Sequence, residues 1–221
     1  WMEKHRAVRD PEGKLIGFNG SALGSGADNS RGRAGNSAEP RAFQTAFIDF
    51  ISQQAAMYSD IARWSRILAS REQSHSHVLA ERSARASAKA AALKKLINEK
   101  YWNEERGYYF DLVPDGFGGW IQNRRFTPIA GFWALYAGAA SPAQVQRVID
   151  TQLRPDAFGG EFPLPANSRF FIVEGRPTDN LYIPRDGFEN EDGYWDKWAH
   201  WPPMMAVAVE GFRRSGRPDV A

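Results

Sequence analysis

Residues 41 to 101 constrain this chain more than any other part of it. From Arg41 onward, Phe43, Phe47, Phe50, Ile51, Gln54, Met57, Tyr58, Ile61, Trp64 and Leu68 recur at three- and four-residue steps. Residues at that spacing share one face of an α-helix, so the run predicts a long helix with one broad, mostly apolar stripe. Asp49 lies beside the stripe and reads as a solvated helix acid in preference to a ligand contact. Ser70, with Gln73 three residues on, fits a capping box that opens a second helix. That helix is Ala-rich, carries Leu79, Ala86, Ala90, Leu93, Leu96 and Ile97, and ends near Tyr101-Trp102. Two long helices with a short break are expected to lie antiparallel.

The flanking segments are shorter and more broken. Residues 1–12 read as a helix end running into the turn Pro11-Glu-Gly13, and Lys14 to Phe18 as a short extended piece. Arg106-Gly-Tyr-Tyr-Phe-Asp111 is a turn followed by an alternating aromatic segment, and Pro114 to Gly119 is loop. Pro128 stands near the first turn of a third apolar run, Ile129 to Ala137. Ser141-Pro142 then starts a fourth helix, with the cap followed by Pro at its first position, carrying Val145, Val148, Ile149 and Leu153. Arg154 to Trp198 is long, irregular and rich in Pro, Gly, Phe and acids. It holds too many aromatics for a disordered segment and reads as an ordered surface around a cavity. A last amphipathic helix runs from about Pro202 to Arg214 and ends at Ser215-Gly216. The fold class this predicts is all-α: a toroid or bundle of paired helices whose long loops gather on one functional face.

Composition excludes several classes of function. Net charge is +2 and Lys and Arg are interleaved with acids, which gives no basic patch for a nucleic acid. Cysteine is absent, so there is no thiolate metal site and no disulfide frame. His75 and His77 stand two apart and share no helix face, so no metal is expected. No apolar run reaches the roughly 20 residues of a membrane span. The opening Trp1-Met-Glu-Lys-His5 has no signal-peptide apolar region, and the chain is expected to begin within a longer protein. Cytoplasmic and periplasmic locations both stay open, as does the oligomeric state.

Candidate chemistry sits in Gly24-Ser-Gly-Ala-Asp-Asn-Ser30, where one carboxylate, Asp28, lies among glycines and small polar residues. Each Gly loses more conformational freedom on folding than any other residue, so a loop of this make-up is costly to hold in one shape. Two readings of Asp28 stand side by side: a catalytic carboxylate, or an Asx-turn or helix-cap acid. The second concentration of chemistry is Gly193-Tyr-Trp-Asp-Lys-Trp-Ala-His-Trp-Pro-Pro203, with three Trp, a Tyr, a His and an Asp close together. Flat rings there suit a core and suit the apolar C–H faces of sugars equally well.

Taken in order, these segments resemble glycoside hydrolase family 63 across nearly the whole chain. Trp1-x-x-x-x-Arg6 with Arg9-Asp-Pro-Glu-Gly13 looks like the family's segment ahead of its acid loop. Ser25-Gly-Ala-Asp-Asn-Ser30 resembles the family's Ser-Gly-Met-Asp-Asn-Ser block and, more distantly, the Ser-Gly-Trp-Asp block of trehalases. Tyr101-Trp-Asn-Glu-Glu-x-Gly-Tyr-Tyr-Phe-Asp111, Phe162-Pro-Leu-Pro165 and Gly193 to Pro203 are similar to three further blocks. The resemblance implies an (α/α)6 barrel that hydrolyses α-glycosidic bonds with inversion, as in processing α-glucosidases and mannosylglycerate hydrolases. It implies that residues 1–221 are a single partial catalytic domain, truncated at both ends. By motif, Asp28 matches the general acid. Trp195, Asp196, Trp198, Trp201, Asn29 and Arg31 become candidate substrate contacts, although Asp196-Lys-Trp198 departs from the family's Arg-Gly-Pro. The implied partner is an oligosaccharide or small glycoside, and the chemistry needs no cofactor.

An inverting mechanism uses two carboxyl groups about 6.5–9.5 Å apart, one protonated and one ionised. Asp28 has to hold its proton well above the ordinary pKa of about 3.9, which burial against aromatics or a neighbouring carboxylate achieves. The resemblance puts the general base beyond the matching segment, outside this chain. Within the chain the candidates are Asp49, Glu161, Glu174, Glu191 and Asp196, with Asp196 preferred for its Trp neighbours. A non-catalytic sugar-binding or helical interaction protein is the alternative.

Overall fold

The computed structural model describes residues 2–19, 45–124, 127–160, 164, 168, 170–173, 176–179 and 200–221. The centre is an antiparallel pair of long helices, α2 (Ile48–Ala69) and α3 (Ser76–Leu96). Ser83 Oγ donates to the Ala62 carbonyl at 2.9 Å and Lys89 reaches Tyr58, so positions rise along one helix as they fall along the other. Ala55, Ala56 and Ala62 on α2 and Ala86 and Ala90 on α3 are buried, and such small residues let two helix axes approach closely.

Ser70 does not open α3, as the capping-box pattern suggests. It closes α2 in an αR conformation, with its Oγ donating to the Ile67 carbonyl at 2.8 Å. Reversing the chain takes several more residues and a 3-10 turn, Gln73–His75, before α3 begins without a side-chain cap. At its other end α3 runs into one π turn, Ile97–Tyr101.

Short hairpins surround the pair. Helix α1 (Met2–His5) leads into β1 (Ala7–Arg9), which pairs antiparallel with β2 (Leu15–Phe18). Lys14 to Phe18 is extended as the sequence suggests, but Ala7–Arg9 is a strand and not part of a helix end. Gly13, at φ +80°, supplies the left-handed residue of the turn between them. β3 (Trp102–Asn103) pairs with β4 (Tyr108–Tyr109), and β5 (Leu112–Pro114) with β6 (Trp120–Gln122). The loop between β5 and β6 is organised by Asp115, whose Oδ1 accepts from the amides of Phe117 and Gly119 at 2.7 and 2.9 Å.

The remaining helices complete the core. Ile129–Phe132 is a 3-10 turn that continues as α4 (Trp133–Tyr136), and α5 (Pro142–Gln152) follows. The fourth-helix expectation holds in detail: Ser141 and Gln144 form a reciprocal capping box, with Pro142 in the first turn. A hairpin of β7 (Phe170–Val173) and β8 (Arg176–Asp179) precedes α6 (Pro202–Arg214), whose bounds match the sequence reading. Met204, Ala208, Gly211 and Phe212 are its buried face, and α4 packs against both α2 and α6. Helix therefore dominates, and the extended pieces from Lys14 to Phe18 and in the alternating aromatic segment pair with neighbours into short hairpins. Among the described residues no helix is long and apolar enough to cross a membrane.

Among the described residues the main hydrophobic core runs from Val8 to Phe212, with a small separate cluster of Phe47 and Phe50. Its aromatic centre is Phe132, whose ring centroid lies 5.4 Å from Tyr108, 5.2 Å from Phe158 and 5.6 Å from Phe212. Such pairs each contribute about 0.5–1.5 kcal/mol beyond area burial. They join β4, the loop after α5 and α6 through one residue.

The apolar stripe on α2 is only partly covered. Ile48 and Ile51 are fully buried, whereas Met57, Trp64 and Leu68 stay 46, 54 and 43% exposed. With Leu79, Arg82, Trp133 and Tyr136 they line an open groove of about 500 Å³.

Candidate functional site

Asp28, Asn29, Arg31, Trp195, Asp196 and Trp198 lie outside the described residues, as do Glu161, Glu174 and Glu191. The structure does describe the chain on either side of residues 20–44, which carry Asp28. On the incoming side, β2 ends at Phe18, and the Asn19 amide donates to the Arg6 carbonyl at 2.8 Å. On the outgoing side, Thr45, Ala46 and Phe47 are buried. Ala46 exchanges two backbone hydrogen bonds of 2.9 Å with Leu112, and the Phe47 amide donates to the Phe18 carbonyl at 3.1 Å. The segment therefore leaves and returns at neighbouring points, beside the N-terminus of α2.

That N-terminus is acidic. The first amides of a helix lack intrahelical acceptors and its dipole is positive there, so carboxylates are stabilised. Asp111, buried at the end of the Gly-Tyr-Tyr-Phe-Asp block, accepts the Ile48 amide on Oδ1 at 2.9 Å. Asp49 occupies the first turn and is fully buried, which corrects the solvated-acid reading. The reason is tertiary: Leu112 and Asp111 meet this end of the helix at Ala46 and Ile48, and Tyr101 lies near enough to feel the Asp49 charge.

Tyr101 sits beside the two carboxylates. Its hydroxyl donates to the Ile16 carbonyl at 3.0 Å, at the start of the loop's incoming strand. Burial first, then the negative charges of Asp111 and Asp49, push its ionisation well above the ordinary tyrosine value. The backbone of Gly17 lies against this hydroxyl so closely that a Cβ there would come within 2.0 Å of it. Tyr109 is also raised, by burial alone, and its hydroxyl donates to Asn98 Oδ1 at 2.9 Å.

The Tyr101–Asp111 block stands out in the sequence as a motif without a role attached to it. Its signal was a resemblance, and nothing local ties Asp111 to a helix that starts 63 residues earlier. Trp201, the one candidate substrate contact that is described, stands at the N-cap of α6 in extended conformation and packs half-buried against the main core. Among the described residues no cluster of His, Asp and Glu is arranged to hold a metal ion.

The helical architecture that carries this site occurs in known proteins. The structure of the neutral trehalase Nth1 from Saccharomyces cerevisiae superposes with a TM-score of 0.56 at 24% identity, over 81% of this chain and 30% of that one. The trehalase family profile matches residues 23–221, from just ahead of the Asp28 block to the last residue. The chain belongs to the trehalase family. The cytosolic neutral trehalase of Kluyveromyces lactis is 29% identical over 128 residues, 58% of this chain and 15% of the relative. That of Pyricularia oryzae is 31% identical over 123 residues, 55% of this chain and 14% of the relative. The chain thus spans about a seventh of the length of these relatives. Trehalases, the more distant of the two resemblances read from the sequence, therefore replace glycoside hydrolase family 63 as the assignment.

Proposed function

We propose that the protein carrying this chain is a glycoside hydrolase that cleaves α,α-trehalose with inversion, and that Asp28 is its general acid. The supporting observation is the family match, which spans the Asp28 block and the Trp195–Trp201 block together. In this reading residues 1–221 form part of an (α/α)6 domain. Asp28 delivers its proton to the departing glycosidic oxygen while a second carboxylate, carried elsewhere in the polypeptide, activates water on the opposite face of the sugar. Trp195, Trp198 and Trp201 offer flat faces to the C–H surface of a glucose ring, and Asn29, Arg31 and Asp196 bind its hydroxyls. No metal or cofactor takes part. The anchored ends of residues 20–44 serve the same end, because general acid catalysis needs the donor within hydrogen-bond reach of the leaving oxygen.

The test uses the full reading frame. Incubation with trehalose, followed by NMR, should show equal α- and β-glucose at early times, because inversion releases one ring as the β-anomer and leaves the other α. Asp28→Asn should lower kcat by about 10²–10⁴-fold, the usual worth of general acid–base catalysis. Unchanged turnover in that variant would sink the assignment. Saturable quenching of Trp fluorescence by trehalose, without hydrolysis, would favour a sugar-binding protein.

A further inference from the structure

We propose that the Tyr101–Leu112 segment is a positioning platform for the Asp28 loop, with Asp111 its principal residue; this rests on Asp28 being the general acid. Tyr101, at one end of the segment, holds the incoming strand through the Ile16 carbonyl at 3.0 Å. Asp111 and Leu112, at the other end, hold the outgoing chain through the Ile48 amide and the Ala46 backbone, each at 2.9 Å. The two ends of one short segment, on either side of the β3–β4 hairpin, therefore grip the chain before and after residues 20–44. The grip is rigid because its members are buried: Tyr101, Tyr108, Tyr109, Phe110, Asp111 and Leu112 are each no more than 2% exposed.

The phenols fix the hairpin in turn. Tyr108 donates to the Pro128 carbonyl at 2.9 Å and Tyr109 to Asn98, so the platform is tied to the core at several points. Holding both ends of a chain segment limits the positions that its interior residues can reach. Asp111 touches neither substrate nor leaving group in this account. It acts through the loop, fixing the register in which the chain carrying Asp28 enters α2.

The experiment compares Asp111→Ala, Asp111→Asn and Ser141→Ala in the full-length protein, assayed on trehalose well below each variant's Tm. Asp111→Ala should lower kcat by about 10²-fold with KM little changed, since a displacement of about 1 Å in a catalytic group costs that much. Asp111→Asn retains an oxygen that accepts from Ile48 and should keep most of the activity. Ser141→Ala, a cap removed far along the chain, should lower Tm while leaving kcat as in the wild type. Wild-type kcat in Asp111→Ala, or a loss in Asp111→Asn as large as in Asp111→Ala, would overturn the proposal. If Asp111→Ala does not fold, Tyr101→Phe carries the test. It removes only the hydroxyl at the incoming end and should lower kcat about tenfold, and wild-type kcat there would overturn the platform. Asp28→Asn in parallel separates the two failures. Full activity in Asp28→Asn removes the acid assignment, whereas an inactive Asp28→Asn beside a fully active Asp111→Ala removes the platform.

Discussion

At Gly131 the absence of a side chain is a packing requirement. A Cβ there would stand 2.5 Å from the Tyr108 ring, and that ring is held by its bond to Pro128 and by edge contacts to Phe110 and Phe132. A rigid neighbour on several contacts cannot yield, so Gly131→Ala is expected to destabilise the protein by about 1–3 kcal/mol. Urea unfolding monitored by near-UV circular dichroism would show it as a lower midpoint with an unchanged slope. Gly17 is constrained in the same way by the Tyr101 hydroxyl. Neither constraint shows in the sequence, because the residue that makes each glycine necessary lies 84 or 23 positions away. Asp49 makes the same point for a charge. Its place beside an apolar stripe suggests solvent, whereas in the folded chain it is fully buried at the helix start, where Asp111 and Leu112 meet Ile48 and Ala46.

Elements with local start and stop signals were legible from the sequence. Helix α5 carries its cap, its Pro and its Gln within four residues, and the structure forms the capping box as written. Ser141→Ala removes the acceptor for the Gln144 amide and should cost about 1 kcal/mol, measurable as a lower Tm in calorimetry. An unchanged Tm would mean that tertiary packing alone holds that end of α5. Ser70 carried a similar pattern and did something else, since a capping box competes with the geometry of chain reversal between α2 and α3. The hairpins were less legible. Strands of two to four residues are too short for a period of two to emerge, so β1 reads as part of a helix end, β3 lies where the second long helix is expected to end, and β5 and β6 border a loop.

The buried phenols give the whole molecule a pH dependence. In the unfolded chain Tyr101 and Tyr109 ionise near pH 10, and in the folded protein burial raises both. A raised folded value leaves stability undiminished below the unfolded pKa and erodes it as pH rises beyond. Urea midpoints should therefore be level up to about pH 10 and fall above it. The phenolate absorbance of these residues should appear together with unfolding and not before it. A phenolate signal from the folded protein equal to its full tyrosine content would contradict this. At the acid end, Glu210 is held down to about 2 by hydrogen bonds from Arg213 and Arg214, so it keeps its charge until well into acid.

The sequence by itself determined the helical class, the antiparallel pairing of the two long helices, the bounds of α5 and α6, and the block that carries Asp28. Each of these rests on signals within about four residues of one another or on a motif with fixed internal spacing. The tertiary structure decided how the chain on either side of residues 20–44 is held. Asp111 caps α2, Tyr101 holds the incoming strand, and Asp49 is buried between chain segments far apart in sequence. Such contacts depend on which surfaces meet after folding, and no local pattern encodes that meeting. The Asp28 block was visible as a motif, whereas the closeness of the chain on its two sides appeared only when residues 16, 46, 48, 101 and 111 came together in space.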